Sequence, residues 1–272
     1  MVGRKLTVLT AAIAVAATLP FTSAAAASAR HTATHNIIQY GFTMDRFAAA
    51  DPAAARYWMD RRGAYATVNP GPYGATTSVH AFGSLSSLAK IGPGLPHGSW
   101  VLFDIETWPV TPLAEQQNPG KAMEQFNTAA TRMGLRPIDA PAMDLAYTDT
   151  ACSKKAHGGS RATWYIECRI AAYAVSDGGD GVIIQSQSHV GSPDFGTLVR
   201  RARDEIMNVN PAAFIDADVS VNHGTAAQAV ASLTGVGRHF ISGIFVTDNN
   251  ANAANPRGWE AKVLNGLMAK GW

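Results

Sequence analysis

From His35 onward the chain repeats one phrase: a short apolar run, a polar loop, a helical stretch, then Gly or Pro before the next run. The runs predict strands over 37–40, 64–68, 79–82, 100–104, 136–140, 181–185, 213–216 and 244–247. They are nearly continuously apolar, which is how parallel strands covered on both faces read. Helix starts are marked by a capping side chain before a proline at Asp51-Pro52, Asn118-Pro119, Ser192-Pro193 and Asn255-Pro256. Gly63 and Gly134 stand where helix C-caps belong, each just before a strand. Tyr57 and Met59 belong to an early helix. Met123, Phe126, Ala130 and Met133 recur at three and four residues, as do Trp259, Val263, Leu264 and Leu267, the spacing of a helix with one buried face.

Eight strands alternating with helices over about 240 residues match a single (β/α)8 TIM barrel of the α/β class. An open doubly wound sheet would normally need fewer strands. No Gly-rich fingerprint follows the first strand, so nothing points to a dinucleotide cofactor, and no cofactor is expected. Neither a linker nor a sequence repeat interrupts 30–272, which is read as one domain.

The segment before it has a different pattern. Arg4 and Lys5 precede an apolar run over 6–19, Pro20 breaks that run, and small residues follow. Ala27-Ser28-Ala29 is an A-x-A match, so 1–29 is expected to be a signal peptide cleaved after Ala29. The run is about 14 residues, short of the roughly 20 that span a bilayer. The expectation is a secreted, extracellular protein with no membrane attachment after cleavage. In an oxidising compartment Cys152 and Cys168, the only cysteines, should form a disulfide. Closing a loop of about 16 residues would contribute on the order of 3 kcal/mol. A nucleophilic thiol would need a base nearby, and only His157 is local.

Charge narrows the partners. Removing Arg4 and Lys5 from the 22 basic side chains balances the 20 acidic ones. A neutral chain without a basic run has no electrostatic footprint for nucleic acid or for an anionic membrane. A monomer is expected.

In such a barrel the active site lies at the C-terminal strand ends. Residues two apart on a strand share a face. On strand four, Leu102, Asp104 and Glu106 therefore point into the barrel, and Val101, Phe103 and Ile105 point toward the helices. An apolar strand thus ends in two carboxylates aimed at the mouth, and their mutual repulsion would raise one pKa as a general acid requires. Strand seven repeats the device with Phe214, Asp216 and Asp218. Strand six offers Gln185 and Gln187, strand one Tyr40, and strand two Asn69. Asp144 follows strand five and Asp248 follows strand eight. One acid at a strand end ordinarily caps a loop or pairs with a base. This many polar groups at one end point to a functional mouth.

Asp104-x-Glu106 resembles the Asp-x-Glu end of the family-eighteen chitinases and the family-twenty-five muramidases, both secreted barrels. The resemblance implies that Glu106 donates a proton to the glycosidic oxygen. Two and five positions before Asp104, where the chitinases carry further Asp residues, stand Leu102 and Ser99. Gln185 and Gln187 stand where they place a Tyr. A second likeness is to retaining barrel glycosidases with carboxylates on strands four and seven, a plan that Glu106 with Asp216 or Asp218 would fit. The phrase over 103–115 also resembles uncharacterised secreted actinobacterial barrel proteins.

Sugar rings pack on aromatics. Trp108 directly follows the carboxylates, and Tyr40, Trp100 and Trp164 are further candidates for stacking. Alternatively, Trp108 only packs its own loop, where Thr111 would cap a short helix. The reading is a glycoside hydrolase acting on carbohydrate. Glu106 would be the acid, Asp104 its ionised partner, and Asp216 or Asp218 the second carboxylate. Tyr40, Asn69, Trp108, Asp144, Gln185, Gln187 and Asp248 would hold the sugar. A non-catalytic carbohydrate-binding barrel is the main alternative. A metal-dependent hydrolase using His189, His223 and the Asp216-x-Asp218 pair comes third, because no metal-ligand spacing occurs. The run Asp177-Gly178-Gly179-Asp180-Gly181 lacks calcium-loop spacing and reads as a tight turn.

Overall fold

The computed structural model describes residues 36–39, 53, 64–66, 77–152, 159–247 and 256–272, all within the compact unit His31–Trp272. Backbone pairing follows chain order. It runs through β1 (Asn36–Gln39), β2 (Ala64–Ala66), β3 (Thr77–Phe82), β4 (Trp100–Phe103), β5 (Arg136–Asp139), β6 (Gly181–Ile184), β7 (Phe214–Ser220) and β8 (Gly243–Thr247). Every ladder is parallel, and β1 lies beside β8 as well as β2. The fold is α/β, with the six consecutive parallel strands β3 to β8 curled into a half-barrel.

All eight expected runs carry a strand. The largest difference is β7, which continues past Asp216 to Ser220. Its last residues pair with β8 through Asp218↔Phe245 and Ser220↔Thr247. The polar residues there end an apolar pattern, not the strand. Ladder hydrogen bonds depend on backbone, and the pattern records only side chains.

Among the described residues, α1 (Leu85–Ile91) follows β3, and α2 (Leu113–Gln116) and α3 (Pro119–Arg132) follow β4. The helices α4 (Leu145–Thr148), α5 (Arg161–Glu167) and α6 (Ile170–Tyr173) lie between β5 and β6. Then come α7 (Phe195–Val209), α8 (Ala226–Val236) and α9 (Pro256–Met268). α3 begins at its marked proline, although the Asn118 side chain donates back to Ala114 O instead of capping it. Beyond Ser192-Pro193 the helix starts two residues late, after Asp194. α8 opens on a reciprocal Thr225–Gln228 capping box, a signal readable as T-x-x-Q but not marked by proline. Gly134 takes φ +74° after α3, the left-handed turn that glycine adopts without strain. Gly63, Tyr57, Met59 and the Asp51 and Asn255 caps lie outside the described residues.

Parity along the strands separates two cores. Val101, Phe103 and Ile105 face outward, as expected, into the layer beneath the helices with Val182, Ile184, Ile215, Ala217 and Val219. There Phe126 of α3 stacks on Phe103, with ring centroids 4.6 Å apart and planes 8° apart. Val79, Trp100, Leu102, Ile138, Ala140, Ile183 and Phe245 face inward and form a separate apolar cluster. The inner cluster is the floor of the candidate site.

Cys152 and Cys168 form the expected disulfide, Cα atoms 5.5 Å apart. The expected tight turn before β6 is also present: Asp177 and Gly178 have φ of 51° and 93°, and Asp180 pairs with Arg136. No described helix is long and apolar enough to cross a membrane. The 1–29 segment lies outside the described residues.

Candidate active site

The inner faces of β4 and β6 are apolar up to their C-terminal ends and polar beyond, whereas β7 carries Asp216 and Asp218 within the strand. Leu102 and Ile183 are buried in the floor. Two residues further on each strand come Asp104 and Gln185. Register places Asp216 level with Ile183, and Asp218 one step higher, beside Phe245 of β8.

Gln185 joins the strands. Its Nε2 donates to Glu106 Oε1 at 3.0 Å, to Asp104 Oδ1 at 3.3 Å and to Ala140 O at 2.9 Å. Its own Oε1 accepts from Gln187 Nε2 at 3.5 Å. Asp218 Oδ1 accepts from Thr247 Oγ1 at 3.3 Å, and Ser186 Oγ donates to the Asp218 carbonyl. The β5 loop adds Asp144, whose Oδ2 accepts from Thr107 Oγ1. The structure therefore brings Asp104, Glu106, Asp144, Gln185, Gln187 and Asp218 together. Thr247 was not singled out in the sequence, although its place two residues after inward Phe245 signals it.

Burial raises the pKa of three of these carboxyls. Burial pushes the Asp104 pKa up to about 7, with the Glu106 charge adding to it. Burial also raises Asp218 well above the carboxylate range; Asp104 and Glu106 add to this and the Thr247 bond opposes it. Glu106 is raised as well, by burial first, but the Gln185 hydrogen bond favours its ionised form while Asp144 opposes it. Asp104 was expected as the ionised partner beneath a protonated Glu106; both carboxyls are raised, and Asp104 is raised chiefly by removal from water and less by repulsion from Glu106.

Asp216 does not reach the mouth. It is fully buried level with the apolar floor, and neither carboxyl oxygen has a hydrogen-bond partner among the described residues. Burial alone raises its pKa well above the usual range. The set His189, His223 and Asp216 is accordingly not assembled. His189 is half-buried, and its pKa is lowered by burial and by His223 against the opposing pull of Asp194. Among the described residues no group of three His, Cys, Asp or Glu is placed to hold a metal.

The aromatics divide. Trp108 is half-buried in its loop, with Nε1 donating to Thr111 Oγ1 at 2.7 Å. Thr111 in turn donates to Gly83 O at 2.8 Å, so it locks the loop instead of capping α2, whose N-cap is Pro112. Gln116 Nε2 secures the same turn through Trp108 O and Thr111 O. Trp100 lies at the opposite end of the strand from the mouth. It packs edge-on against Phe214 with the Arg136 guanidinium 3.7 Å from its ring. It therefore belongs to the inner apolar cluster, away from the mouth, and cannot stack on a sugar there. Tyr40, Asn69 and Asp248 lie outside the described residues.

The described part of the mouth is rich in acceptors. Among the described residues none of Asp104, Glu106, Asp144 and Asp218 pairs with Lys or Arg; the ion pairs Arg136–Asp180 and Arg203–Asp204 lie elsewhere. Asp144 Oδ1 and Gln187 Oε1 are buried without a donor. Buried acceptors ordinarily have partners, so these two atoms are open to a hydrogen-bond donor.

No known protein family matches the chain, and no curated protein does. Among solved structures it is similar to a Schiff-base-forming fructose-1,6-bisphosphate aldolase. The identity is 13% over 87% of this chain and 92% of that chain, with a TM-score of 0.48. It is also similar to active domain 2 of a thermostable chitinase from Pyrococcus furiosus, solved with chito-oligosaccharides. There the identity is 11% over 88% of this chain and 96% of that chain, with a TM-score of 0.37. Neither likeness bears on the chemistry of the mouth.

Proposed function

We propose that the chain is a secreted glycoside hydrolase built on a single (β/α)8 barrel, exported by its 1–29 leader. The observation that carries the catalytic reading is the Gln185 carboxamide holding Asp104 and Glu106 together above an apolar floor. Two carboxyls of different depth under one clamp have unequal proton affinities, which is what acid–base work on a glycosidic bond needs.

Glu106 is the proton donor, since it lies nearest the mouth with the longer side chain. It protonates the glycosidic oxygen as the carbon–oxygen bond breaks. Asp144, whose charge is felt by Glu106, is the facing carboxyl that stabilises positive charge developing on the ring. Water completes the hydrolysis. Asp104 and Asp218, whose pKa values burial raises, support the site from below. The unpartnered acceptors Asp144 Oδ1 and Gln187 Oε1 take hydrogen bonds from sugar hydroxyls.

The test is a screen of the mature protein against a polysaccharide panel, with Glu106→Gln as control. Reducing-sugar release that disappears in Glu106→Gln supports the reading. Equal release by both proteins removes Glu106 as the acid. Binding of a polysaccharide without any hydrolysis would instead establish the non-catalytic alternative.

A further inference from the structure

We infer that Tyr147, braced by Trp164, is an outer stacking platform that seats a second sugar ring of an oligosaccharide beside the mouth. This deepens the carbohydrate reading above and rests on it.

Tyr147 lies on α4, one turn beyond Asp144, and its backbone N–H donates to Asp144 O at 2.9 Å. Residues three apart on a helical turn are neighbours, their Cβ atoms about 5–6 Å apart. Asp144 in turn bonds Thr107, next to Glu106. The ring therefore stands at the mouth rim, within reach of a sugar unit adjoining the one at Glu106.

It is open yet firmly held. Tyr147 is 43% exposed, and its hydroxyl has no hydrogen-bond partner among the described residues. The Trp164 ring supports it, with centroids 4.8 Å apart and planes tilted by 58°. Thr148 Oγ1 donates to Gln116 O at 3.0 Å and Thr150 N to Gln117 O at 2.8 Å, tying this segment to the β4 loop. The Cys152–Cys168 disulfide joins the chain after α4 to the end of α5. An aromatic face fixed in this way loses little freedom when a ligand settles on it. The apolar C–H face of a pyranose matches the ring, and the free phenol can bond a sugar hydroxyl.

The test is calorimetric binding of cello-, xylo- and chito-oligosaccharides of two to six units. The parent is the Glu106→Gln protein, which cannot hydrolyse them. The parent should bind longer chains more tightly than the disaccharide. Tyr147→Ala should weaken the longer chains by about three- to tenfold, leaving the disaccharide nearly unchanged. Tyr147→Phe should retain most of that affinity. Tyr147→Leu, which still fills space against Trp164 but offers no flat face, should behave like Ala. The same length dependence in Tyr147→Ala and the parent would overturn the platform alone. A parent that binds none of these oligosaccharides would overturn the carbohydrate reading and the platform with it.

Discussion

The Gln185 carboxamide nitrogen stands 3.0 Å from Glu106 Oε1, so the group proposed to deliver a proton is bonded by a donor that favours its ionised form. Burial raises the Glu106 pKa, and this bond limits the rise. Removing the donor in Gln185→Leu should therefore raise the Glu106 pKa. The alkaline limb of the pH–rate profile should move to higher pH, because loss of the acidic proton sets that limb. Glu106→Gln should instead lower the rate by about 10²- to 10⁴-fold, the usual worth of general acid–base assistance, while sugar binding persists. An unmoved limb in Gln185→Leu would disconnect Gln185 from the titration.

Asp104 makes a stability prediction of opposite sign to an ordinary carboxylate. Burial pushes its pKa in the folded protein up to about 7, above the ordinary aspartate value. Folding thus favours the protonated form. The destabilisation is absent below about pH 4, grows as pH rises toward 7, and is complete above it. Asp104→Asn should melt like wild type near pH 4 and at higher temperature at pH 8. The gain is on the order of 4 kcal/mol at most. Thermal melts at both pH values decide this; a variant no more stable at pH 8 than wild type would contradict it.

Asp216 should be replaceable at a gain. A buried polar group without a partner costs about 1–3 kcal/mol, and Asp216 has neither a hydrogen-bond partner among the described residues nor exposure. Asp216→Val keeps the shape near the backbone and should raise the denaturation midpoint without lowering activity. A large loss of activity with an unchanged fold would show that the buried carboxyl takes part in the chemistry after all.

The Cys152–Cys168 bridge should matter to stability and to the rim more than to the acid. Reduction should destabilise the protein by about 3 kcal/mol, read from chemical denaturation with and without reductant. Thiol titration of the unfolded, unreduced protein should find no reactive group. Two titrating thiols would contradict the bridge.

The eight strands could be read from sequence because each is a run of apolar residues, and a strand buried on both faces must be one. The inward direction of Asp104, Gln185 and Asp218 was also readable, since side-chain alternation is local geometry. The disulfide followed from two cysteines and the expectation of export. Depth was not readable. Asp216 and Asp218 share a face and differ by one step of register, yet one is sealed in the floor and the other stands among the mouth carboxyls, because neighbouring strands set that level. That burial more than mutual repulsion raises Asp104 was hidden for the same reason: it depends on how much protein surrounds the carboxyl. Trp100 and Tyr147 show it again. The sequence offered the first as a stacking residue and passed over the second. Trp100 begins β4, so its distance from the mouth follows from strand direction, but its packing against Phe214 and Arg136 does not; the contact of the Tyr147 ring with Trp164 likewise depends on how α4 meets α5. Alternation along a strand is a property of the chain itself, whereas burial belongs to the assembled structure.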